Sequence, residues 1–583
     1  MVTPHKPIKS LFLKEVQIYS TFSYQNFHKK RFSIFPKLQI QLSDHNVSRF
    51  ADRKNSNKTK LLRIFKKAKF VRNLDLGQVY FSDQNFCFSA LLLIAKKMST
   101  TPRLSVYDSK EYQNELKGLF TTLPKYMKHL KSLHYQLSFE SLIHVQLFHD
   151  GDTEIKLPPK IKFITDFLKY LPRLEGLKMI LPSYHYTSYL NHLWRLGKYP
   201  ASIQKLSFLF ANVDGDVPKI SFAHLKNLRH FEISPNYQSL DILMQNLIHL
   251  LLQVSHLESL TISFLDDFYI DASICESLKT LKGLEKLKLH FSSLTHNNNL
   301  QLLTSFEGCP LKYLNMRIKI NSNQDIPSIT NFLKKNTSIE TLKLKLMKPE
   351  SFGSSKDMDE LIYSINNLPK LMNLSLSALP NQYFHDKKPI LSNLNNHFKN
   401  LLSPLRVPPV KQFQISLHQS YISKTDLFPL LESLKGISST LEKLQIDAGG
   451  FSPRDEVETD TMIEFIRSLR NIRSLRIPSL FVFSKKFFFE FIEAISILKN
   501  LRTLFIGEIS GNIPASLFLE GIQKIISKHG LRKFSCLSAL DFRNYFSSPD
   551  ASPRLKMSDI RKKNPYLQRG PYQPIFSIDF DNW

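Results

Sequence analysis

The chain is poor in cysteine, which excludes two common ways of holding a domain together. Its 583 residues include 4 cysteines, Cys87, Cys275, Cys309 and Cys536, all far apart in sequence. A disulfide scaffold needs a dense set of cysteines, and a zinc site needs ligands only a few residues apart. The sequence therefore predicts no disulfide framework and no metal site.

Glycine is also scarce, and no signature of catalysis or cofactor binding occurs. The chain has 17 glycines, less than half of the roughly 7% found in average proteins. It contains no Gly-rich phosphate loop, no dinucleotide-binding GxGxxG, no HExxH and no GxSxG motif. We predict a protein that has no cofactor and is not an enzyme.

Long apolar segments are missing as well. The longest apolar run, Phe86 to Ala95, is far shorter than the roughly 20 residues that cross a bilayer. The N-terminus lacks the apolar stretch and cleavage site of a signal peptide. The sequence predicts an intracellular protein with no transmembrane segment, in the cytoplasm or the nucleus.

Acidic residues are much fewer than basic ones. The chain has 79 Lys and Arg against 50 Asp and Glu, a formal net charge of +29, while its 42% hydrophobic content is that of a globular protein. So large a positive surplus favours acidic partners, which include proteins, nucleic acids and anionic membranes.

What the sequence does contain is one repeated pattern, an apolar residue followed by two variable residues, an apolar residue, one variable residue and an apolar residue. Clear copies are Leu228-RH-Phe231-E-Ile233 and Leu284-EK-Leu287-K-Leu289. The sixteen copies start at 71, 101, 130, 174, 203, 228, 257, 284, 311, 339, 371, 410, 441, 472, 501 and 531. Chance matches would not keep such a period over most of the chain, so the repeat predicts the fold.

Each copy predicts a short strand, because apolar residues two apart lie on one face of a strand. The stretches between copies predict helices. One of them begins at the plausible N-cap Ser484 and carries Phe488, Phe491, Ile492 and Ile495 at helical spacing. A strand and a helix in about thirty residues cannot bury their own apolar faces, so the units must stack on one another.

In this pattern the sequence resembles the leucine-rich repeat family, specifically the ribonuclease-inhibitor-like class. The resemblance covers about residues 70–540, although the Asn or Cys expected after the strand core is mostly absent. It implies an α/β solenoid, a horseshoe with a parallel inner sheet and outer helices, and a role in protein–protein recognition.

Three regions are expected from the pattern and the composition. Residues 1–69 form a basic N-terminal cap or extension, with a degenerate repeat near 35 as an option. Residues 70–541 form the solenoid of about sixteen repeats, and residues 542–583 form a C-terminal tail rich in Ser, Pro and basic residues.

The candidate binding residues lie at the variable positions of the strands, which face the hollow of a horseshoe. Basic residues dominate there, and those of three consecutive repeats should form one patch. The predicted partner-binding residues are Lys286, Lys288, Arg317, Lys343, Lys345 and Tyr313. We expect them to bind an acidic protein segment, with solubility of an exposed sheet as the alternative explanation of the lysines.

A second basic patch occurs near the N-terminus. The segment KTKLLRIFKKAKFVR carries seven basic residues and no acid, and the predicted patch consists of Lys60, Arg63, Lys66, Lys67 and Lys69. The segment is compatible with binding of nucleic acid or an anionic membrane, and also with a solvated helix that precedes the first strand.

Three functions are compatible with these observations. The leading one is a non-catalytic interaction scaffold or adaptor with a protein partner. The second is a substrate-recognition subunit of a ubiquitin ligase, although residues 1–69 lack the expected Leu-Pro opening of an F-box. The third is binding of nucleic acid or anionic lipid through the basic N-terminal region.

Overall fold

The structure is a computed structural model, and it describes the chain in separate ranges. They are residues 16–18, 34–35, 38–40, 70–71, 73–76, 103–107, 132–136, 171, 173–181, 200–210, 225–234, 253–268, 272–294, 298–320, 324–347, 355–379, 410–417, 427–447, 453, 455–478, 480, 482, 484–509, 513–514, 517–518, 520–521, 524–525, 533–538 and 575–579. The chain divides into two compact units, unit 1 (Met1–Leu284) and unit 2 (Glu285–Trp583).

Unit 1 contains eleven of the described strands and one of the described helices. The strands are β1 (Val16–Ile18), β2 (Ile34–Phe35), β3 (Leu38–Ile40), β4 (Phe70–Val71), β5 (Asn73–Leu76), β6 (Arg103–Tyr107), β7 (Ser132–Gln136), β8 (Gly176–Leu181), β9 (Lys205–Phe210), β10 (His230–Ser234) and β11 (Ser259–Phe268). The helix is α1 (Ala272–Leu278). From β5 to β11 each strand pairs in parallel with the next one in sequence, while β2 pairs with β4 apart from this series.

In the described part of unit 2, six helices lie between successive strands of one sheet. The strands are β12 (Lys286–Leu294), β13 (Tyr313–Lys319), β14 (Thr341–Met347), β15 (Asn373–Leu379), β16 (Gln412–Leu417), β17 (Lys443–Asp447), β18 (Ser474–Ile477), β19 (Thr503–Ile509), β20 (Lys533–Ser538) and β21 (Ile575–Asp579). The helices are α2 (Asn298–Ser305), α3 (Asp325–Lys335), α4 (Ser355–Asn366), α5 (Leu427–Lys435), α6 (Glu456–Ser468) and α7 (Lys485–Ser496).

The sheet of unit 2 follows the chain order. From β12 to β20 each strand pairs in parallel with its successor, and β21 pairs with β20 in antiparallel orientation. Parallel strands need a crossover connection, and helices such as α3 and α4 provide it. This order is expected of stacked repeats, since each repeat contacts mainly the repeats before and after it.

Alternation along each strand sets one face of the sheet against the core. In β14, Leu342, Leu344 and Leu346 are buried, while Thr341, Lys343 and Lys345 alternate with them and are more exposed. Neighbouring strands pair apolar residue to apolar residue, as Leu314 does with Leu342. The repeated apolar positions therefore stack into one continuous core within the unit.

A tight turn with two buried anchors precedes the strands. The Leu228 N–H donates to the Leu225 carbonyl over 3.0 Å, and the Leu501 N–H donates to the Leu498 carbonyl over 3.0 Å. All four leucines are buried. The turn fixes the point at which the following strand starts, because its second anchor is the first apolar residue of the strand pattern.

Immediately after the turn, two consecutive N–H groups donate to a single carbonyl of the preceding repeat. Met372 and Asn373 both donate to the Glu340 carbonyl, over 2.8 and 3.0 Å. The same arrangement recurs for Glu442 and Lys443, which donate to the Lys411 carbonyl over 2.7 and 3.0 Å. This recurring bond holds adjacent repeats in one register.

Helix α7 confirms the helical interpretation of its sequence. The Ser484 side chain accepts a hydrogen bond from the Phe487 N–H over 3.1 Å, which is the predicted N-cap. Phe488, Phe491 and Ile495 are buried on one side of the helix. The parallel strands, the intervening helices and the repeated turns together confirm the α/β solenoid of the leucine-rich repeat type.

Candidate protein-binding face

The side of the unit 2 sheet that faces away from the core carries three rows of aligned side chains. We call this side, from β12 to β18, the open face. The strand register aligns row 1 as Lys286, Tyr313, Thr341, Asn373, Gln412, Lys443 and Ser474, row 2 as Lys288, Asn315, Lys343, Ser375, Gln414, Gln445 and Arg476, and row 3 as His290, Arg317, Lys345, Ser377, Ser416 and Asp447.

The structure brings all six predicted partner-binding residues together on β12, β13 and β14. We call Lys286, Lys288, Arg317, Lys343 and Lys345 with Tyr313 the basic cluster. Its strands span about 10 Å at roughly 4.8 Å per strand. Lys286 and Lys343 are exposed, and the other four are half-buried. The proximity of these residues is a structural finding, whereas their role in binding remains a prediction.

Tyr313 lies at the centre of the basic cluster. The Lys288 Nζ lies 5.9 Å from the centroid of its ring, and the Lys343 Nζ lies 5.8 Å from it. A cation within about 6 Å of an aromatic face is attracted by the ring quadrupole. Tyr313 therefore holds two ammonium groups, one from each neighbouring strand, at the same part of the open face.

Arg317 and Lys345 are direct neighbours in row 3 of the register. The Arg317 Nε lies 3.5 Å from the Met347 Sδ, a weak acceptor, so this contact does not neutralise the guanidinium. Burial lowers the pKa of Lys345 from its ordinary value of 10.5, and the nearby charge of Arg317 lowers it further. An anion placed between Arg317 and Lys345 would offset the repulsion between these two cations.

Most carboxylates in the described part of unit 2 lie outside the open face. Lys312 pairs with Glu285 at 2.8 Å ahead of the strands, and Lys335 pairs with Glu307 at 2.8 Å between repeats. On the described open face Asp447, at the far end of row 3, is the single acid. None of the four lysines of the basic cluster has an ion pair with a residue in the described parts of the chain.

A second group of cations lies on β17 and β18, three and four strands beyond β14. Lys443 on β17 and Arg476 on β18, which we call the basic pair, are exposed. The Arg476 guanidinium carbon lies 5.3 Å from the centroid of the Phe505 ring on β19. Each group of cations on this face thus contacts one aromatic ring.

Uncharged polar side chains separate the basic cluster from the basic pair. Six of them line a depression of about 310 Å³ together with Lys343, Lys443 and Arg476. We call these six the polar shelf: Thr341, Asn373, Ser375, Gln412, Gln414 and Gln445. The Asn373 Nδ2 donates to the Thr341 Oγ1 over 2.9 Å. The other side chains of the shelf present hydroxyl and amide groups, which can donate to and accept from a bound chain.

Charged residues also lie at the variable strand positions of unit 1. There Lys178 is half-buried and Lys205 is exposed, and the Glu232 carboxylate accepts a 2.6 Å hydrogen bond from Ser207 Oγ. Lys60, Arg63, Lys66, Lys67 and Lys69 lie outside the described residues. Among the side chains that the structure describes, no group of three or more His, Cys, Asp or Glu could hold a metal ion. The helices within these same ranges include none that is long and apolar enough to cross a bilayer.

No family model matches the chain, and no curated protein matches it. Solved structures that resemble it include TLR13 in complex with ssRNA13, at 13% identity and a TM-score of 0.32, over 85% of this chain and 61% of that one. A leucine-rich repeat-containing protein, LegL7 from Legionella pneumophila, matches at 12% identity and a TM-score of 0.26, over 66% of this chain and 95% of that one. Yeast Rad7, in complex with Elc1, matches at 15% identity and a TM-score of 0.31, over 88% and 96%.

This chain spans less than two thirds of the length of TLR13. The strand register and the repeated turns define the class of protein: this is a leucine-rich repeat solenoid with an exposed polar and basic sheet face.

Proposed function

We propose that this protein is a non-catalytic interaction scaffold whose open face in unit 2 binds an acidic segment of a protein partner. The observation that carries the proposal is the basic cluster, five cations on three adjacent strands around Tyr313. Like charges that face one another across strands destabilise a sheet. A carboxylate-bearing ligand removes that repulsion, so the cluster gains more from an acidic partner than isolated surface lysines would.

The features of the open face favour a polypeptide ligand over a small molecule. The depression above the polar shelf is shallow and is lined by side chains of five successive strands. A cofactor site is typically a concave and mostly apolar pocket. A long polar surface with cations at intervals is better matched by an extended chain, whose backbone and side chains hydrogen bond along its length.

Single-stranded RNA is the competing ligand, because a tyrosine between lysines can also stack a base. The polar shelf favours the peptide, since a backbone with a phosphate at every nucleotide would leave charges opposite uncharged amides. A third option, recognition of substrates for a ubiquitin ligase, depends on residues 1–69, most of which lie outside the described ranges.

The proposal is tested by charge reversal with a matched control. The test variant carries Lys286→Glu, Lys288→Glu, Lys343→Glu and Lys345→Glu. The control variant carries Lys356→Glu, Lys370→Glu, Lys485→Glu and Lys499→Glu, four exposed lysines of unit 2 away from the open face. The two variants have the same net charge, so any difference between them reports position rather than total charge.

The probes are a short fluorescent peptide with two adjacent pairs of glutamates flanked by serines and a labelled single-stranded RNA of equal charge, both measured by fluorescence anisotropy. We expect the test variant to bind the peptide about a hundredfold more weakly than the unmodified chain, since truncating or reversing close charge pairs costs several kcal/mol. The control variant should lose much less. Equal losses in both variants, or a larger loss of RNA binding than of peptide binding in the test variant, would contradict the proposal.

A further inference from the structure

The arrangement of cations on the open face suggests a specific pattern in the partner. We infer that the partner binds as an extended chain running across the strands, with two acidic positions about four to six residues apart along the chain and mainly uncharged residues between them. One acidic position lies at the basic cluster and the other at the basic pair. This inference rests on the proposed function and adds the spacing that the ligand must have.

The spacing follows from the strand register. Lys343 is on β14, Lys443 is three strands away on β17, and Arg476 is four strands away on β18. At roughly 4.8 Å per strand the two groups are about 14 to 19 Å apart. An extended peptide advances about 3.4 Å per residue, so the same distance corresponds to about four to six residues.

The polar shelf explains why the residues between the acids should be uncharged. Its six side chains include no cation, and all of them are half-buried. A carboxylate placed above it would lose part of its hydration without gaining a cation, which is unfavourable. Hydroxyl, amide and backbone groups of the partner could instead hydrogen bond to Gln412, Gln414 and Gln445.

The acid of row 3 restricts the path of the partner. Asp447 is on β17, beside Lys443 and Gln445 along the same strand. An acidic ligand that followed row 3 would approach this carboxylate. We therefore place the extended chain over rows 1 and 2, where Lys443 and Arg476 are reached without passing Asp447.

The aromatic contacts make both ends suitable for holding an anion. Tyr313 fixes two lysine side chains near its ring, and Phe505 fixes Arg476 in the same way. A cation already held against a ring loses less side-chain entropy when an anion binds. The two ends therefore act as separate binding positions with a defined distance between them, and linked positions reinforce each other only when the ligand spans that distance.

The experiment compares three peptides of identical composition, each with two pairs of glutamates. In the first the pairs are adjacent, in the second about five uncharged residues separate them, and in the third about ten do. Binding to the full chain is measured by fluorescence anisotropy. We expect the second peptide to bind about tenfold more tightly than either of the others, because only its spacer matches the distance between the basic cluster and the basic pair.

Substitution of the basic pair then tests whether it forms the second binding position. In the variant Lys443→Gln and Arg476→Gln, the advantage of the second peptide should disappear while the affinity for the adjacent-pair peptide stays unchanged. The matched control, Lys370→Gln and Lys499→Gln, should keep the advantage. Thermal melting of both variants checks that the fold is retained.

The possible failures are distinguishable. If the unmodified chain binds all three peptides equally, and that binding still depends on the basic cluster, the spacing inference is wrong and the proposed function stands. If none of the peptides binds while an RNA of equal charge does, both are wrong. The comparison of peptides on the unmodified chain gives this answer even if a variant does not fold.

Discussion

At the scale of single residues, Gly507 occupies a position at which the backbone of the preceding repeat leaves no room for a side chain. A Cβ on this buried residue of β19 would lie 2.4 Å from the Pro478 carbonyl oxygen and 2.4 Å from the Leu480 carbonyl oxygen. Both atoms belong to the backbone, so they can move only if the turn after β18 moves. The glycine thus allows two repeats to pack closely at this point.

We expect Gly507→Ala to lower the free energy of unfolding by about 1–3 kcal/mol, the usual cost of forcing extra volume into a packed region. Urea unfolding followed by circular dichroism measures the effect. Gly283→Ala is the control, because its Cβ would lie an ordinary 3.9 Å from the Leu257 carbonyl oxygen. Equal midpoints for the two variants would contradict the close approach.

Lys345 gives a second prediction at this scale. Its pKa is lowered from 10.5, first by burial and then by Arg317. We expect the Lys345 ammonium to titrate below the ordinary lysine pKa of 10.5 when it is followed by NMR. Arg317→Gln should raise the pKa of Lys345 part of the way, and an acidic peptide should raise it as well. An unchanged pKa on peptide binding would place the acidic end of the ligand away from Arg317 and Lys345.

The sign of the linked effect on stability follows from the same shift. Between the lowered pKa of Lys345 and 10.5, the unfolded chain binds a proton that the folded chain does not. The folded state therefore becomes more stable as the pH rises through this window. The difference in unfolding free energy between the unmodified chain and Lys345→Gln should grow in favour of the unmodified chain over the same range. A difference independent of pH would rule out the shift.

At the scale of elements, the strands and α7 could be predicted because their signal is local. Leu342, Leu344 and Leu346 show the period of a half-buried strand, and Phe488 and Phe491 the period of a helix. The buried turn before the strands also has a sequence signal, in segments such as Leu225-KN-Leu228 and Leu498-KN-Leu501. The repeat pattern starts only at the second anchor of this turn, so the pattern alone does not predict it.

The candidate site could be predicted only in part. The period of two assigned Lys343 and Lys345 to the side away from the core, and the repeat spacing assigned them to neighbouring strands. The contacts of Tyr313 with two lysines and the burial of Lys345 depend on side-chain conformation, which a repeat pattern does not specify. The distance from Lys343 to Lys443 also needed the register, since the intervening repeats differ in length.

The cap of α7 provides a prediction for an element. Ser484 accepts a hydrogen bond from the Phe487 N–H, one of the amides that a helix start leaves without a helical partner. Ser484→Ala should lower the free energy of unfolding by about 1 kcal/mol, as measured by urea titration. Ser484→Asp should restore most of it, because aspartate is an equally good cap. If both substitutions cost the same, the capping bond contributes nothing.

At the scale of the whole molecule, the net charge of +29 by itself attracts any polyanion. Binding that depends only on this total should weaken steeply with salt and should not depend on which cations are removed. Binding at the basic cluster should depend on position. The two contributions can be separated because the N-terminal basic patch and the basic cluster are far apart in the sequence.

We therefore compare two variants against two ligands over a range of salt concentrations. One variant replaces Lys60, Arg63, Lys66, Lys67 and Lys69 with Gln, and the other carries the four charge reversals of the basic cluster. We expect the first to weaken binding of single-stranded RNA and to reduce its salt dependence, because fewer cations are available to displace counterions. It should leave the acidic peptide bound nearly as before.

The second variant should lose the peptide and keep much of the RNA binding. If instead both ligands respond alike to both variants, the protein recognises negative charge in general, and the basic cluster has no partner of its own.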